Sequence, residues 1–236
     1  MRIGVFAYNF EHKKTQEGLL NLFLNGYKVE CIMAADPVKL TFYQSKIRVV
    51  PKGLHYTHPK KIAERLGIPY HVVVHNSKEC EDMIRRYNLD LGIILGARIL
   101  KSNVISAFKI GVMNMHPGLI PKNRGLDNLK WAILKGYKQG VTIHLINAKV
   151  DHGEIILQRE IEVYEDDTLL DIFLRTQDME QVMMLESIRI LEGGKRDFKM
   201  VGKDIEEGNY FKSVPPEEEA RLYRMFDYYK KNYKNI

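Results

Sequence analysis

Residues 111–125 read GVMNMHPGLIPKNRG, and residues 140–158 read GVTIHLINAKVDHGEIILQ. Each segment opens with a short apolar run of the length expected for a buried strand and continues into a polar turn. The first segment carries Asn114 and His116, and Asp151 follows the apolar run of the second. Because alternate residues of a strand point to the same face, the side chains of Asn114 and His116 are predicted to meet at one point.

Around these segments, apolar runs of strand length alternate with stretches of helical periodicity. Strands are predicted at residues 2–8, 27–35, 70–75, 89–95, 112–115, 141–146 and 155–163. Helices are predicted at residues 15–24, 58–66, 78–87, 101–108 and 125–134, and a long one from a cap at Asp166 or Asp167 to Leu191. This alternation predicts an α/β fold with a doubly wound, mostly parallel sheet. The last two strands are expected to form an antiparallel hairpin at its edge.

The domain organisation follows from length and from a change of pattern after Gly194. A chain of 236 residues with 45% hydrophobic residues suits one main core, which we assign to residues 1–194. Residues 195–236 are predicted to form an appendage, with an extended segment at 210–213 and an aromatic, basic helix at 220–233. We expect the appendage to pack on the core or on a second subunit.

Composition narrows the class of protein. No apolar run approaches the ~18 residues of a membrane span, and the first residues do not resemble a secretory signal, so a cytoplasmic protein is expected. Cys31 and Cys80 lack metal or redox spacing and are expected to be reduced thiols. The net charge of +6 favours anionic partners in general, although a lysine-rich solvated surface accounts for most of it.

A basic loop follows the first predicted strand. It contains His12, Lys13 and Lys14, and it is neither a dinucleotide-binding glycine loop nor a phosphate-binding P-loop. Its position at the carboxyl edge of a parallel sheet, where open α/β folds bind ligands, makes these residues candidates for substrate binding. A merely solvated loop is the alternative.

Asn114, His116 and Asp151 provide the groups that an acyl transfer requires. An amide donor and a histidine can stabilise an oxyanion, and a carboxylate can orient the histidine. No serine or cysteine occupies a nucleophile elbow, so the acyl group is expected to pass directly to an incoming nucleophile. Each residue also has a purely structural interpretation, as a turn or packing residue. A metal site built from His116, His144, His152 and Asp151 lacks any known ligand spacing and is not predicted.

Four motifs resemble the folate-dependent formyltransferase family, which includes glycinamide ribonucleotide, methionyl-tRNA and nucleotide-sugar formyltransferases. They are Gly96-Ala97-Arg98-Ile99-Leu100, Asn114-Met115-His116-Pro117-Gly118-Leu119-Ile120-Pro121 with Arg124-Gly125, Gly140-Val141-Thr142-Ile143-His144, and Val150-Asp151-His152-Gly153-Glu154-Ile155-Ile156. The resemblance covers roughly residues 1–191 and keeps the order of the family's motifs. It implies a Rossmann-like core.

The resemblance also implies roles for individual residues. Asn114, His116 and Asp151 would be the catalytic residues, and 10-formyltetrahydrofolate would be the formyl donor, with no metal. The pterin would lie against Ala97, Arg98, Ile99 and Leu100 and against the loop that includes Ile146 and Val150. The chain departs from the family pattern at Gly118, where many members have serine, and at His152, where alanine or glycine is common.

The acceptor is predicted from the regions outside these motifs. Few residues follow Leu191, whereas methionyl-tRNA enzymes of the family carry a further domain, and the loop at 8–14 lacks the glycine-rich phosphate segment of the purine enzymes. Arg124 and Trp131 occupy a segment similar to that of nucleotide-sugar enzymes. We therefore expect the amine of a nucleotide-linked amino sugar as the acceptor, with His12, Lys13, Lys14, Arg124 and Trp131 as substrate-binding residues.

Two alternatives remain open at this stage. The first is a glycinamide ribonucleotide formyltransferase, which would act in purine synthesis. The second is a protein without enzyme activity that binds RNA through the basic, aromatic helix at 221–234, and nucleic-acid binding is not the favoured interpretation. A homodimer formed partly by the aromatic C-terminal residues is also expected.

Overall fold

The computed structural model of this chain describes residues 1–39, 45, 47 and 49–236. The strands are β1 (Ile3–Tyr8), β2 (Val29–Ala35), β3 (Tyr70–Val72), β4 (Leu91–Ile94), β5 (Gly111–His116), β6 (Arg124–Gly125), β7 (Gly140–Ile146), β8 (Gly153–Glu160), β9 (Lys199–Met200) and β10 (Tyr210–Phe211). The helices are α1 (Lys13–Leu24), α2 (Pro59–Leu66), α3 (Lys78–Arg86), α4 (Ser102–Ile105), α5 (Asn128–Lys135), α6 (Leu169–Glu192) and α7 (Pro216–Asn232).

Within the described residues, eight strands form one sheet in the order β3-β2-β1-β4-β5-β7-β8-β9. The strands from β3 to β5 run parallel, and β7, β8 and β9 each run antiparallel to the preceding neighbour. The predicted α/β class with a mostly parallel sheet is confirmed. The antiparallel pairing of β7 and β8 is confirmed as well, but the hairpin is not the edge, because β9 pairs with β8 beyond it.

The sheet is covered on both faces, and the alternation of side chains along β1 shows how. Ile3, Val5 and Ala7 are buried in a core with residues of α1, α2 and α6. Phe6 points to the opposite face and is buried in a second core with residues of α3 and α4. Since each apolar face of the sheet must be removed from water, this two-sided burial explains why the strands are continuously apolar rather than alternating with polar residues.

Several helix ends follow from local sequence. Pro59 occupies the first turn of α2, the ring of His58 accepts a hydrogen bond from the backbone N–H of Lys60, and Gly67 ends the helix in the left-handed conformation. The hydroxyl of Ser77 caps α3. These ends agree with the boundaries predicted from sequence. None of the helices in the described residues is long and apolar enough to cross a lipid bilayer.

Two sequence predictions of helix starts were wrong. The long helix α6 is capped by Thr168 and not by Asp166 or Asp167, because the Thr168 hydroxyl and the Asp171 carboxylate exchange hydrogen bonds with each other's backbone N–H groups. The other wrong prediction concerns α5, which was expected to begin at residue 125 but begins at Asn128. Arg124 and Gly125 form strand β6 instead, since a distant segment supplies a pairing partner there.

The residues after Gly194 pack against the first part of the chain. Strand β9 extends the main sheet, and β10 pairs with β6 in parallel, with Tyr210 opposite Arg124 and Phe211 opposite Gly125. Helix α7 buries Leu222 and Tyr229 in a third core shared with α5 and the start of α6. The hydroxyl of Tyr229 donates to the carbonyl oxygen of Tyr137 at 2.7 Å. The C-terminal segment thereby reaches β6, one of the neighbours of the candidate site.

The assignment of the α6 cap gives a stability prediction. Thr168→Ala is expected to lower the free energy of unfolding by about 1 kcal/mol, because it removes the acceptor for the backbone N–H of Asp171. Asp166→Ala is the matched control, since Asp166 is exposed and is expected to stay within about 0.5 kcal/mol of the wild-type value. Urea denaturation of both variants checks this. A larger loss in Asp166→Ala than in Thr168→Ala would contradict the assignment.

Candidate active site

Asn114 and His116 lie at the carboxyl end of β5 and point to the same side of the sheet. Strand β5 is flanked by β4 and β7, with Asn114 opposite His144 and His116 opposite Thr142. His116 is 3% exposed, so its ring is held inside the protein. The buried sheet therefore fixes two polar groups beside each other at the edge where α/β folds bind ligands.

The ring of His116 lies between two oxygen acceptors. Its Nδ1 is 3.3 Å from Oδ1 of Asp151, and its Nε2 is 2.8 Å from the backbone carbonyl oxygen of Asn123. A neutral imidazole can donate only one of these two hydrogen bonds, whereas the doubly protonated ring can donate both. The surroundings of His116 are therefore arranged for a cationic ring.

Asp151 is held by two neighbouring residues. Besides His116, the backbone N–H of Gly125 donates to its Oδ2 at 2.7 Å. Burial acts to raise the pKa of Asp151, but the charge of His116 and the hydrogen bonds from His116 and Gly125 outweigh it and keep this pKa below its usual value. Asp151 is thus an anion that orients His116, and its backbone adopts a left-handed conformation with φ of 46°.

His144 lies behind Asn114 on the neighbouring strand. Its Nε2 is 3.2 Å from Nδ2 of Asn114, and its ring is 1% exposed. Burial lowers the pKa of His144 to about 4, and the charge of His116 acts in the same direction. A neutral His144 can accept a hydrogen bond from the Asn114 amide, which fixes that amide and leaves its second N–H hydrogen for a ligand. The sequence analysis considered His144 as a possible metal ligand and missed this contact.

Gly118 allows the loop after His116 to approach the histidine closely. A Cβ atom at position 118 would lie 2.6 Å from the carbonyl oxygen of Asn123 and 2.9 Å from Nε2 of His116. A serine at this position, as in many members of the family that the motifs resemble, would push the Asn123 carbonyl away from His116. The departure noted in the sequence therefore coincides with the contact that holds Nε2.

A cavity of about 160 Å³ adjoins Asn114 and Asp151. Its lining includes all six residues that the sequence assigned to cofactor binding, namely Ala97, Arg98, Ile99, Leu100, Ile146 and Val150. The first four follow β4, and the last two belong to the end of β7 and the loop that carries Asp151. Two segments far apart in sequence thus form a single cavity, with the amide and the carboxylate at its border.

A second cavity, of about 300 Å³, is lined in part by Pro117, the residue that follows His116. Lys14 and Glu180 lie in its wall; Nζ of Lys14 is 3.1 Å from Oε1 of Glu180 and donates to the carbonyl oxygen of Met115 at 2.9 Å. Burial raises the pKa of Glu180, and the charge of Lys14 opposes that rise. Oε1 of Gln177, also in this wall, is buried without a hydrogen bond to any described residue.

The other residues assigned to substrate binding lie in different surroundings. Lys13 forms an ion pair with Glu17 at 2.6 Å. His12 is 2.9 Å from the Thr15 hydroxyl, and burial and the charge of Lys14 lower its pKa to about 4. Lys13 and Lys14 belong to the first turn of α1 and not to a loop as predicted, because the helix begins directly after His12. The side chain of Lys14 contacts β5 at Met115, and the substrate-binding role assigned to His12, Lys13 and Lys14 stays a prediction.

Arg124 and Trp131 make contacts with the C-terminal segment. Nη2 of Arg124 donates to the carbonyl oxygen of Gly208 at 2.9 Å, and the ring of Trp131 stacks on that of Phe211 with a centroid separation of 4.7 Å. Nε1 of Trp131 donates to the carbonyl oxygen of Lys212 at 2.7 Å. These contacts attach the C-terminal segment to the chain beside Gly125, and a direct contact with substrate stays a prediction for both residues.

Sequence reasoning missed Asn123 and Glu180 as neighbours of the site. Asn123 acts through its backbone carbonyl, which carries no residue-specific signal. Glu180 lies in the middle of α6, where a charged residue on the buried side of an otherwise apolar stripe was the available signal. Among the described residues, no group of three or more His, Cys, Asp or Glu side chains is arranged to hold a metal ion.

The buried, neutral His144 gives a pH prediction. Because its pKa is lowered in the folded protein, the unfolded chain binds the proton more readily between about pH 6.5 and pH 4, so stability is complete above this window and falls as the pH is lowered through it. The loss of folding free energy that His144 causes on acidification to about pH 4 is expected to reach about 3 kcal/mol. His144→Gln should therefore show a smaller loss of stability between pH 7 and pH 4 than the wild-type protein in denaturant titrations.

The exposed His55 provides the control for this measurement. His55→Gln is expected to keep the wild-type dependence of stability on pH, since the substitution changes only an exposed side chain. If His144→Gln and His55→Gln lose the same stability on acidification, His144 is not buried as a neutral ring.

The sequence of this chain is similar to those of known proteins. Residues 32–188 match the family model described as formyl transferase. A methionyl-tRNA formyltransferase of Fusobacterium nucleatum is 34% identical over 125 residues, which cover 50% of this chain and 40% of that protein. The chain spans about half the length, or less, of the curated relatives that it matches.

Solved structures share the fold. A phosphoribosylglycinamide formyltransferase from Anaplasma phagocytophilum has a TM-score of 0.65 at 21% identity, covering 90% of this chain and 99% of that one. A sugar N-formyltransferase from Shewanella sp. FDAARGOS_354 has a TM-score of 0.61 at 21% identity, covering 89% of this chain and 76% of that one. At these identities the likeness concerns the fold.

Proposed function

Because this chain belongs to the formyl transferase family, whose members are folate-dependent one-carbon transferases, we propose that it transfers a formyl group from 10-formyltetrahydrofolate to a primary amine. The observation that carries the proposal is the contact of His116 with Asp151 beside Asn114, at the border of a cavity. An amide donor, a histidine and an orienting carboxylate are the groups that direct acyl transfer needs. A covalent nucleophile is not required.

The cavity beside Asn114 fits the donor by its chemistry. Apolar side chains such as Leu100 and Ile146 can cover the faces of a flat ring, and the backbone groups of residues 97–100 can meet its polar edge. Asn114 and Asp151 belong to the lining of the same cavity, and in our proposal the reacting group lies beside them. In our proposal, residues 97–100 and the loop from Ile146 to Asp151 hold the pterin.

When bound there, 10-formyltetrahydrofolate supplies the formyl group, and its nitrogen takes up the proton that the acceptor amine gives up. Nδ2 of Asn114 and the cationic ring of His116 stabilise the negative charge that develops on the formyl oxygen during the attack of the amine. Asp151 orients the ring of His116, and it can accept or relay the amine proton. Burial of the site strengthens each of these interactions, since little water competes.

For the acceptor, we propose the amine of a nucleotide-linked amino sugar. The cavity beside Pro117 offers the Glu180 carboxylate and Oε1 of Gln177 as acceptors for hydroxyl groups and Nζ of Lys14 as a donor. Trp131 and Phe211 stack on each other, and Phe211 pairs with Gly125, whose backbone N–H donates to Asp151; in our proposal the base of the nucleotide stacks on this aromatic pair. The fold is shared with a sugar N-formyltransferase over 89% of this chain.

Glycinamide ribonucleotide is the second candidate acceptor. The specific observation in its favour is the structural match with a phosphoribosylglycinamide formyltransferase, which extends over 99% of that protein. Glu180 and Lys14 would serve the ribose and phosphate of such a ligand as readily as those of a nucleotide sugar. The loop at 9–12 contains no glycine for a close approach of the backbone to a phosphate, which favours the amino sugar.

A direct assay separates these acceptors. The purified chain is incubated with 10-formyltetrahydrofolate and, separately, with a panel of nucleotide-linked amino sugars, glycinamide ribonucleotide and methionyl-tRNA, and release of tetrahydrofolate is followed. Turnover with an amino sugar at a kcat/KM at least tenfold above that of glycinamide ribonucleotide is expected. Preference for glycinamide ribonucleotide or methionyl-tRNA would overturn the acceptor, and turnover with none would overturn the proposed activity.

The variant Asn114→Ala tests the role of Asn114, and its kinetics are measured with the acceptor that this panel identifies. Loss of one oxyanion donor is expected to lower kcat about a hundredfold or more while the KM of the acceptor stays similar, because the contact is strongest in the transition state. Asn103→Ala is the matched control, since Asn103 is an exposed residue that contacts Glu81 on another surface. Near-normal kcat in Asn114→Ala would contradict the role of Asn114.

A further inference from the structure

The loop that carries Asp151 requires contacts to hold its shape. Asp151 follows β7 in a turn where its backbone φ is 46°, a conformation that residues other than glycine rarely adopt. Gly125 holds one oxygen of the Asp151 carboxylate from one side. On the other side, the loop is held by the side chain of its own residue His152, which is 5% exposed.

The hydrogen bonds of His152 specify one tautomer. Oδ1 of Asn147 accepts from the backbone N–H of Lys149 at 2.9 Å, which turns Nδ2 of the same amide toward Nδ1 of His152, 3.0 Å away. Nδ1 is then an acceptor, and Nε2 carries the hydrogen. Nε2 lies 3.2 Å from Oε1 of Glu207, so a neutral ring satisfies both of its neighbours at once.

Glu207 belongs to the segment between β9 and β10 and contacts the Asp151 loop twice. Its Oε1 accepts from Nε2 of His152 and also lies 3.3 Å from Nζ of Lys149. These partners, Lys149 first, lower the pKa of the Glu207 carboxyl, which is therefore an anion at neutral pH. One carboxylate from the C-terminal segment thus binds two positions on either side of Asp151.

The segment that presents Glu207 is itself fastened to the residues that hold Asp151. Gly208 packs so closely against the carbonyl of Pro121 that no Cβ atom fits there, and its own carbonyl oxygen accepts from Arg124 at 2.9 Å. The backbone N–H of Arg124 donates to the carbonyl oxygen of Asn209 at 3.1 Å. The next residue, Gly125, donates to Asp151. The contacts form a closed ring that passes through Asp151, Gly125, the C-terminal segment and His152.

We infer that Glu207, acting through His152, is a positioning residue that sets the place of the Asp151 carboxylate at the reacting group. The inference rests on the proposed function, because it assigns Glu207 a part in the work of Asp151. Glu207 touches neither of the two cavities beside the site. Glu207 is therefore expected to affect the rate of transfer through the orientation of Asp151, and not the binding of the acceptor.

Kinetics of Glu207 variants test this inference with the acceptor that the panel identifies. Glu207→Ala is expected to lower kcat by about tenfold to a hundredfold, since a small displacement of a catalytic group has effects of that size. The KM of the acceptor should stay within about twofold, because the contacts of Glu207 lie outside the acceptor cavity. Glu207→Gln keeps an oxygen that can accept from Nε2 of His152, so it should restore most of the rate. Glu206→Ala, on the exposed neighbouring residue, is the matched control and should behave like the wild-type protein.

A second measurement does not depend on activity. Hydrogen exchange of the backbone amides at 147–153 should be about tenfold faster in Glu207→Ala than in Glu206→Ala, because the loop loses its attachment. Unchanged kcat in Glu207→Ala, or equal exchange in the two variants, would overturn the inference. If the wild-type protein formylates no amine, the proposed function fails, and the exchange measurement still decides whether Glu207 holds the loop.

Discussion

The contact between His116 and Asp151 is the interaction on which the site depends, and it joins parts of the fold that have little else in common. His116 ends a buried central strand, whereas Asp151 lies in a loop after an antiparallel neighbour. At 3.3 Å the two groups form a charge-assisted contact in a place largely closed to water, where such contacts are strong. Because Asp151 also accepts from Gly125, the loop, the strand and the segment after Pro121 have to fold together for the contact to exist.

The second constraint on the site is the way charge is distributed inside it. His144 is kept neutral by burial, so it can accept a hydrogen bond from Asn114 without adding a second positive charge beside His116. The charged pair of Lys14 and Glu180 lies on the far side of His116, and burial favours the neutral form of Glu180 while Lys14 favours its anion. A buried charge is tolerated here because each one has a partner, and removal of either partner would leave the other without compensation.

The C-terminal residues contribute to the site more than their separation in sequence suggests. Tyr210 and Phe211 add a strand beside Arg124 and Gly125, and Phe211 stacks on Trp131. In the proposed function this segment forms both a wall for the acceptor and a support for the loop of Asp151. Changes in this segment among related proteins would then alter acceptor choice without altering the groups that carry out the transfer.

The class of fold can be predicted from the amino-acid sequence, because burial imposes a period on strands and helices that can be read locally, and the chemical candidates can be predicted from the residue types at the strand ends. The sequence placed Asn114 and His116 on one strand face, and it located the two segments that line the cavity beside them. Strand β6 and the contacts of Asn123, His144, Glu180 and Glu207 became evident only once the chain had folded. Each of these depends on a backbone group or on a partner dozens of residues away, and neither leaves a periodic signal in the chain.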